Sequence, residues 1–316
     1  MICSKTRFAI AALITGVLTF GLMARDLRGD ISTGIYPRIV INNTVGASGS
    51  QSYATPFSSV VAIGDGGGPY CTGVLIAPNV VLTARHCGVI AGDQIRFGPN
   101  ANSPLANIFV SSVFTPNTSG GLLSGNDLQI VTLASSVSSA IATPMRLTDA
   151  TTALLGTVGV MIGYGAQGLG STGHSNSSNG FRWGGENIID RYGVPASQTG
   201  ANIFSTDFDN GTGAANTISG SSLTPLFFEA TTAPGDSGGP LLINFNNEWL
   251  VAGVLSGGTT ANSVYGDISW WTGVAPFRTQ IQSFGGAFVA VPEPASGMAV
   301  VVVFLFGIRL RQARIA

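Results

Sequence analysis

Few residues of this chain can carry nucleophilic chemistry, and one short string gathers the conditions for it. Gly235-Asp236-Ser237-Gly238-Gly239-Pro240 sets a serine among glycines, just ahead of the apolar run Leu241–Ile243. A serine attacks when its hydroxyl is exposed on a tight turn whose backbone N–H groups converge on the developing oxyanion. Glycines permit such a turn and leave room for a substrate carbonyl. The hydroxyl also needs a base, usually histidine, with a pKa near the working pH. The chain offers only His86 and His174. His174 falls in a Gly-, Ser- and Asn-rich stretch from 165 to 180, which reads as a long mobile surface loop with a solvated imidazole. His86 sits in Leu82-Thr83-Ala84-Arg85-His86-Cys87, directly after an apolar strand, where it can be held rigidly. Cys71 lies 16 residues upstream of Cys87. A bridge between them would close a loop worth ~3 kcal/mol in the chain-entropy model and fix the segment bearing the base.

An imidazole acting as base must be kept in one tautomer and stabilised as a cation, which a buried carboxylate does without taking the proton. Asp127 in Asn126-Asp127-Leu128-Gln129-Ile130-Val131 opens an apolar strand, where an unpaired acid would be costly. With His86 and Ser237 in the same chain, it is the candidate third member. A second acidic segment, Thr206-Asp207-Phe208-Asp209-Asn210-Gly211, has the alternating acids that suit a hard cation such as calcium. No distant bidentate acid completes such a loop, so the segment reads as a solvated turn and no metal is expected.

The elements that must position these residues are short. Apolar runs at Ser59–Ile63, Val80–Leu82, Leu128–Leu133, Val158–Ile162, Leu241–Ile243 and Leu250–Leu255 are each bounded by Gly, Pro, Asn or Ser. None carries a sustained helical period, and repeated short strands with such punctuation predict an all-β sandwich or barrels. Gly and Pro make up 59 of 316 residues, which favours turns over long helices. Only 9% of residues are charged, which excludes a charged disordered tail and a coiled coil. The net charge of -1 conceals a division, because basic residues cluster at both ends. Residues 31–290 hold seven Arg, no Lys and 12 acids, a net of -5, so no footprint for nucleic acid exists.

Both ends read as addresses. Lys5 and Arg7 precede an apolar run from Phe8 to Met23, with Ala24 before Arg25, the pattern of a secretory signal peptide over 1–24. Cys3 would leave with that signal, and the two remaining Cys would meet an oxidising compartment. At the other end, Val291-Pro292-Glu293-Pro294, an apolar stretch Ala295–Ile308 and Arg309, Arg311 and Arg314 together resemble a PEP-CTERM sorting signal. That stretch is short against the ~20 residues a spanning helix needs. The resemblance implies export, transient inner-membrane retention, cleavage by an exosortase-type enzyme and a cell-surface or extracellular destination, with exopolysaccharide matrix as a candidate partner.

Taken in the order His86, Asp127, Ser237, with Cys71-Thr72-Gly73, Gly163-Tyr164-Gly165 and Leu255-Ser256-Gly257-Gly258, the chain resembles the trypsin/chymotrypsin serine endopeptidases over about 250 residues. The resemblance implies two six-stranded antiparallel β-barrels, here 39–150 and 151–290, with the active site in the cleft between them and 291–316 as the sorting segment. It implies His86 as base then acid, Asp127 as its orienting partner, Ser237 as the acylated residue and the N–H groups of Gly235 and Ser237 as the oxyanion hole. Ser256 would lie behind Asp127, and the backbone from Ser256 to Gly258 would pair with an extended polypeptide substrate. Thr231 would sit at the base of the primary specificity pocket and favour a small or apolar residue over Lys or Arg. Ser263 would line its far wall. Gly257 stands where the family has Trp, and Ala233 where many relatives have Cys. Cleavage of a candidate propeptide 25–38 would free Ile39 to pair with Asp236, although Ile41-Asn42 replaces the usual two glycines. No cofactor is implied. The competing reading is a catalytically silent, matrix-binding homologue, which such a chain becomes by losing a triad residue.

Overall fold

The computed structural model describes residues 39–175, 178–193, 202–259 and 262–292. The expected signal peptide, propeptide and most of the sorting segment lie outside the described residues. In chain order the strands are β1 (Ile39–Ile41), β2 (Val60–Asp65), β3 (Gly68–Ala77), β4 (Val80–Thr83), β5 (Gln94–Phe97), β6 (Ala106–Phe114) and β7 (Gln129–Leu133). They continue as β8 (Arg146–Thr148), β9 (Val158–Gly163), β10 (Gln167–Leu169), β11 (Gly173–His174), β12 (Trp183–Ile188), β13 (Arg191–Tyr192) and β14 (Ile203–Asp207). The last are β15 (Ala230–Thr231), β16 (Pro240–Phe245), β17 (Glu248–Gly258), β18 (Ile268–Gly273) and β19 (Phe288–Val289). The two described α-helices are short, α1 (Gly46–Ala54) and α2 (Arg278–Ser283).

Strands β2 to β7 close into a barrel in the order β2-β3-β4-β7-β6-β5. The second half is a curled sheet running β12-β9-β16-β17-β18-β14-β13. Only two residues separate β12 from β13; one half of this bent strand pairs with β9 and the other with β14. Counted as one strand, it returns the path on itself through six strands. The all-β, two-barrel architecture expected from the sequence is therefore present. Two segments of the stretch 39–150 pair outside the first barrel: β1 lies between β10 and β15, and β8 joins β17 and β19.

Strand periodicity explains why the apolar runs are unbroken rather than alternating. Successive side chains point to opposite faces, and here both faces are buried. In β2, Val61 and Ile63 fill the first barrel, while Val60 and Ala62 face the seam between barrels. In β9, Met161 enters the interior of the second barrel, while Val160 and Ile162 return to that seam. The seam cluster joins Val74, Leu82 and Ile130 of one barrel to Leu242, Val251 and Val254 of the other. A continuous apolar contact of this kind fixes the two barrels against each other, which matters because the candidate site lies along their junction.

Within the stretch from 165 to 180, residues 165–175 are not the mobile loop that composition suggests. They contain β10 and β11, and β10 pairs in parallel with β1. Ala166 and Gln167 are buried, because β1 covers backbone that a Gly- and Ser-rich segment would otherwise leave in solvent.

Candidate active site

The three candidate residues sit at strand ends facing the seam. His86 follows β4 in a short 3-10 turn, Arg85–Cys87, that stops at Gly88 in the left-handed conformation. Cys87 is bonded to Cys71 of β3, so the turn is tied covalently to the neighbouring strand. Arg85 donates to the carbonyl groups of Asn117, Ser119 and Gly120, binding the turn to the loop before β7. Asp127 is fully buried just ahead of β7, and Ser237 lies in the turn before β16.

Together they form one hydrogen-bonded line. His86 Nδ1 stands 2.7 Å from Asp127 Oδ2, and His86 Nε2 stands 2.8 Å from Ser237 Oγ. The other carboxylate oxygen of Asp127 accepts from the His86 backbone N–H at 2.9 Å. Both oxygens of a buried acid are thus occupied by the same residue, which offsets its desolvation and fixes the imidazole in position and tautomer. The hydroxyl of Ser256 pairs with Thr272 Oγ1 at 2.9 Å.

The nucleophile turn leaves two donors uncommitted. The N–H groups of Asp236, Gly238 and Gly239 donate to the carbonyls of Ala233, Leu255 and Asp236. Those of Gly235 and Ser237 have no backbone acceptor. Gly235 has φ +96, a left-handed conformation that glycine adopts without strain. Below this turn, Asp236 is buried and accepts from the N–H of Gly165 at 2.8 Å and of Ala233 at 2.9 Å. A side chain on Gly165 would meet the Asp236 nitrogen at 2.5 Å, so this approach requires glycine. Ile39 and Asp236, the expected activation pair, both line a narrow cavity with Thr232 and Gly239.

Sequence reasoning missed Thr72, whose signal, an ordinary threonine one residue after Cys71, is weak. Its N–H donates to the Ser237 carbonyl at 2.8 Å, and its hydroxyl donates to the Gly235 carbonyl at 3.0 Å. The same hydroxyl accepts the Tyr164 N–H at 3.1 Å. One buried side chain of the first barrel therefore anchors the catalytic turn of the second. Ser269 was missed as well: its hydroxyl meets Thr231 Oγ1 at 2.9 Å and Thr232 Oγ1 at 2.8 Å. The expected pocket base around Thr231 is thus a buried cluster of three hydroxyls, with no formal charge among its members. Gly257 has φ +157, and the side chain nearest its missing Cβ is Leu122, at 3.8 Å. Leu122 therefore stands close to the wall that a tryptophan would fill. Beside Gly258 the nearest atom is the Ile268 carbonyl, 3.0 Å from where a Cβ would lie, so a larger residue would crowd that edge. Ser263 is buried with φ +54, next to Asn262, whose carbonyl accepts from the His174 N–H.

Two readings of the sequence are corrected. His174 is not solvated: it is half-buried on β11, and its Nδ1 is buried without a hydrogen-bond partner. The segment at 206–211 is not a solvated turn either. Asp207 and Asp209 are buried, and topology brings Asp190 and Glu229 to them from other elements. Burial and the neighbouring carboxylates raise Asp190 to about 8, Glu229 to about 8 and Asp209 to about 7. Among the described residues, no group of three or more His, Cys, Asp or Glu could hold a metal ion.

Comparison with known proteins follows the same pattern. The family model described as Trypsin matches residues 44–281. Two Corynebacterium glutamicum proteins described as peptidases are each 28% identical, over 235 and 232 residues; each match covers 71% of this chain and 67% of the relative. Among solved structures, neuropsin, a serine protease expressed in the limbic system of mouse brain, superposes with a TM-score of 0.57 at 19% identity. That match covers 74% of this chain and 97% of neuropsin, and it supports the fold.

Proposed function

Given that this chain belongs to the trypsin family of serine endopeptidases, we propose that Ser237, His86 and Asp127 hydrolyse peptide bonds through an acyl-enzyme. The observation that carries this is the His86 imidazole bridging Asp127 and Ser237 at 2.7 and 2.8 Å. Ser237 Oγ attacks the scissile carbonyl carbon while His86 Nε2 takes its proton. The resulting oxyanion lies against the uncommitted N–H groups of Gly235 and Ser237, and His86 then returns the proton to the leaving amine. Water repeats the sequence on the acyl-enzyme and frees the acid. Asp127 holds the imidazolium throughout without itself being protonated. A preorganised oxyanion donor of this type contributes roughly a hundredfold or more to kcat.

The hydroxyl cluster of Thr231, Thr232 and Ser269 supports preference for an uncharged residue on the acyl side of the bond. It lacks the carboxylate that would recognise Lys or Arg. Activation by cleavage after Arg38 is supported by the backbone of Ile39. Its φ of +52 is a strained value for a β-branched residue. Removing the preceding carbonyl abolishes that torsion and frees an amine on a residue that lines one cavity with Asp236. The terminal segments support an exported enzyme, retained at the inner membrane through 291–316 until processing. Digestion of an unstructured protein followed by mass spectrometry tests the reading. Cuts after small or apolar residues, absent with Ser237→Ala and His86→Ala, are expected; an intact substrate with the processed parent protein would overturn it.

A further inference from the structure

In the uncut chain, Ile39, Val40 and Ile41 are already fully buried. β1 pairs in parallel with β10 along its whole length and antiparallel with β15 at Val40 and Ile41. Ile39 and Ile41 join the interior of the second barrel with Trp183 and Trp271. The strand stays seated although Ile39 holds a torsion unfavourable to its branched side chain, so packing and pairing outweigh that strain. Asn42 fixes the end of the strand. Its N–H donates to the Glu229 carbonyl at 2.9 Å, and its Nδ2 donates to the Phe227 carbonyl at 2.7 Å. Its Oδ1 accepts from the N–H groups of Thr44 at 3.0 Å and Val45 at 3.2 Å. A segment that had to swing into the barrel after a cut would need a free hinge here. Asn42 is instead bonded to the segment after it and to the loop before β15.

The seated strand buttresses the turn that carries Ser237. Val40 packs with Ala166 and Ala233. The N–H groups of Ala233 and of Gly165, the neighbour of Ala166, are donors to Asp236, one for each carboxylate oxygen. The Ala166 N–H donates to the Pro234 carbonyl at 2.7 Å, which ties the same two segments again. A buried carboxylate is costly when its oxygens lack donors. Both oxygens of Asp236 receive one from the folded chain itself. Thr72 holds the Gly235 and Ser237 carbonyls from the other barrel. None of these bonds uses an amine released by proteolysis.

We propose that the uncut chain is itself an active acyl-transfer enzyme, in which β1, pinned by Asn42, holds Asp236 and the oxyanion turn in place without cleavage after Arg38. The proposal rests on the endopeptidase reading. Cleavage after Arg38 then relieves the Ile39 torsion and adds an amine to the cavity that Ile39 shares with Asp236. Its effect is to raise the rate by about tenfold, the worth of one hydrogen bond to a charged group, on a turn already formed.

The test compares parent protein processed to begin at Ile39 with Arg38→Gln protein whose bond before Ile39 is shown by mass spectrometry to be intact. Arg38→Ala stands in should the first variant fold poorly. Each is treated with a fluorophosphonate, and the rate of labelling at Ser237 is followed. The uncut protein is expected to label about tenfold more slowly than the processed one. Asn42→Gly should slow the uncut protein by roughly a further tenfold and change the processed protein by less than about twofold, because the released amine then holds the turn. Labelling of the uncut protein about a hundredfold or more below the processed one overturns the inference and leaves the endopeptidase reading intact. Equal losses from Asn42→Gly in both forms, or none in either, overturn the role given to Asn42. No labelling of either form overturns both the inference and the endopeptidase reading.

Discussion

At the scale of single residues, the reactive groups were legible because they are scarce. With two histidines in the chain and one of them beside a cysteine pair, His86 was nearly forced, and Ser237 was marked by its glycines. Thr72 and Ser269 were not legible, since a threonine or a serine gains its role only from what the fold places against it. The Asp127 carboxylate is buried with both oxygens taken by His86, so Asp127→Asn should keep the fold and offer the ring the wrong hydrogen-bond pattern. We expect kcat to fall roughly 10³- to 10⁴-fold in steady-state assays. Thr72→Val removes the buried hydroxyl that donates to the Gly235 carbonyl and accepts from the Tyr164 N–H. The expected cost is about 1–3 kcal/mol of stability in urea unfolding, with kcat/KM lower by about tenfold as the Gly235 N–H loses its aim.

At the scale of elements, the strands that read clearly were those buried on both faces, as in β2, β7 and β9, where long apolar runs need no partner to be recognised. Strands β10 and β11 escaped because they hold two or three residues each, rich in glycine, and β10 forms by pairing with the distant β1 while β11 pairs with β10. The turn after β9 makes a sharp prediction. Gly165→Ala drives a methyl group into Asp236, so it should lower stability by about 1–3 kcal/mol and reduce fluorophosphonate reactivity beyond what the stability loss explains. The acids at the ends of β12 and β14 and before β15 give a pH dependence. Asp190, Asp209 and Glu229 titrate near 7 to 8 in the folded chain and near 4 when unfolded, so the unfolded state releases protons first. The stability they contribute is full below about pH 4 and is lost as the pH rises to about 8. Urea midpoints measured across that range should fall with pH, and Glu229→Gln should flatten the decline; a midpoint rising from pH 5 to 8 in both proteins would contradict this.

At the scale of the whole molecule, the two barrels share an apolar seam and a polar crossing. Val74, Leu82 and Ile130 pack on Leu242, Val251 and Val254, while His86 and Thr72 of one barrel reach the serine turn of the other. The sequence pointed to two barrels through its short apolar runs and its resemblance to a known family. It could not show that β1 pairs with β10 and β15, or that β8 joins the second sheet through β17, because those pairings join residues more than a hundred positions apart. Nor do the barrels have separate chemistry: neither alone holds both a base and a nucleophile. The central claim, that His86 activates Ser237 across this seam, has one direct test. Processed protein treated with a fluorophosphonate and digested should yield a single adduct, on the peptide containing Ser237. His86→Ala should slow its formation by at least a thousandfold while leaving the urea midpoint within a few tenths of a molar. An adduct on another residue, or one formed on Ser237 at the same rate without His86, would contradict the account.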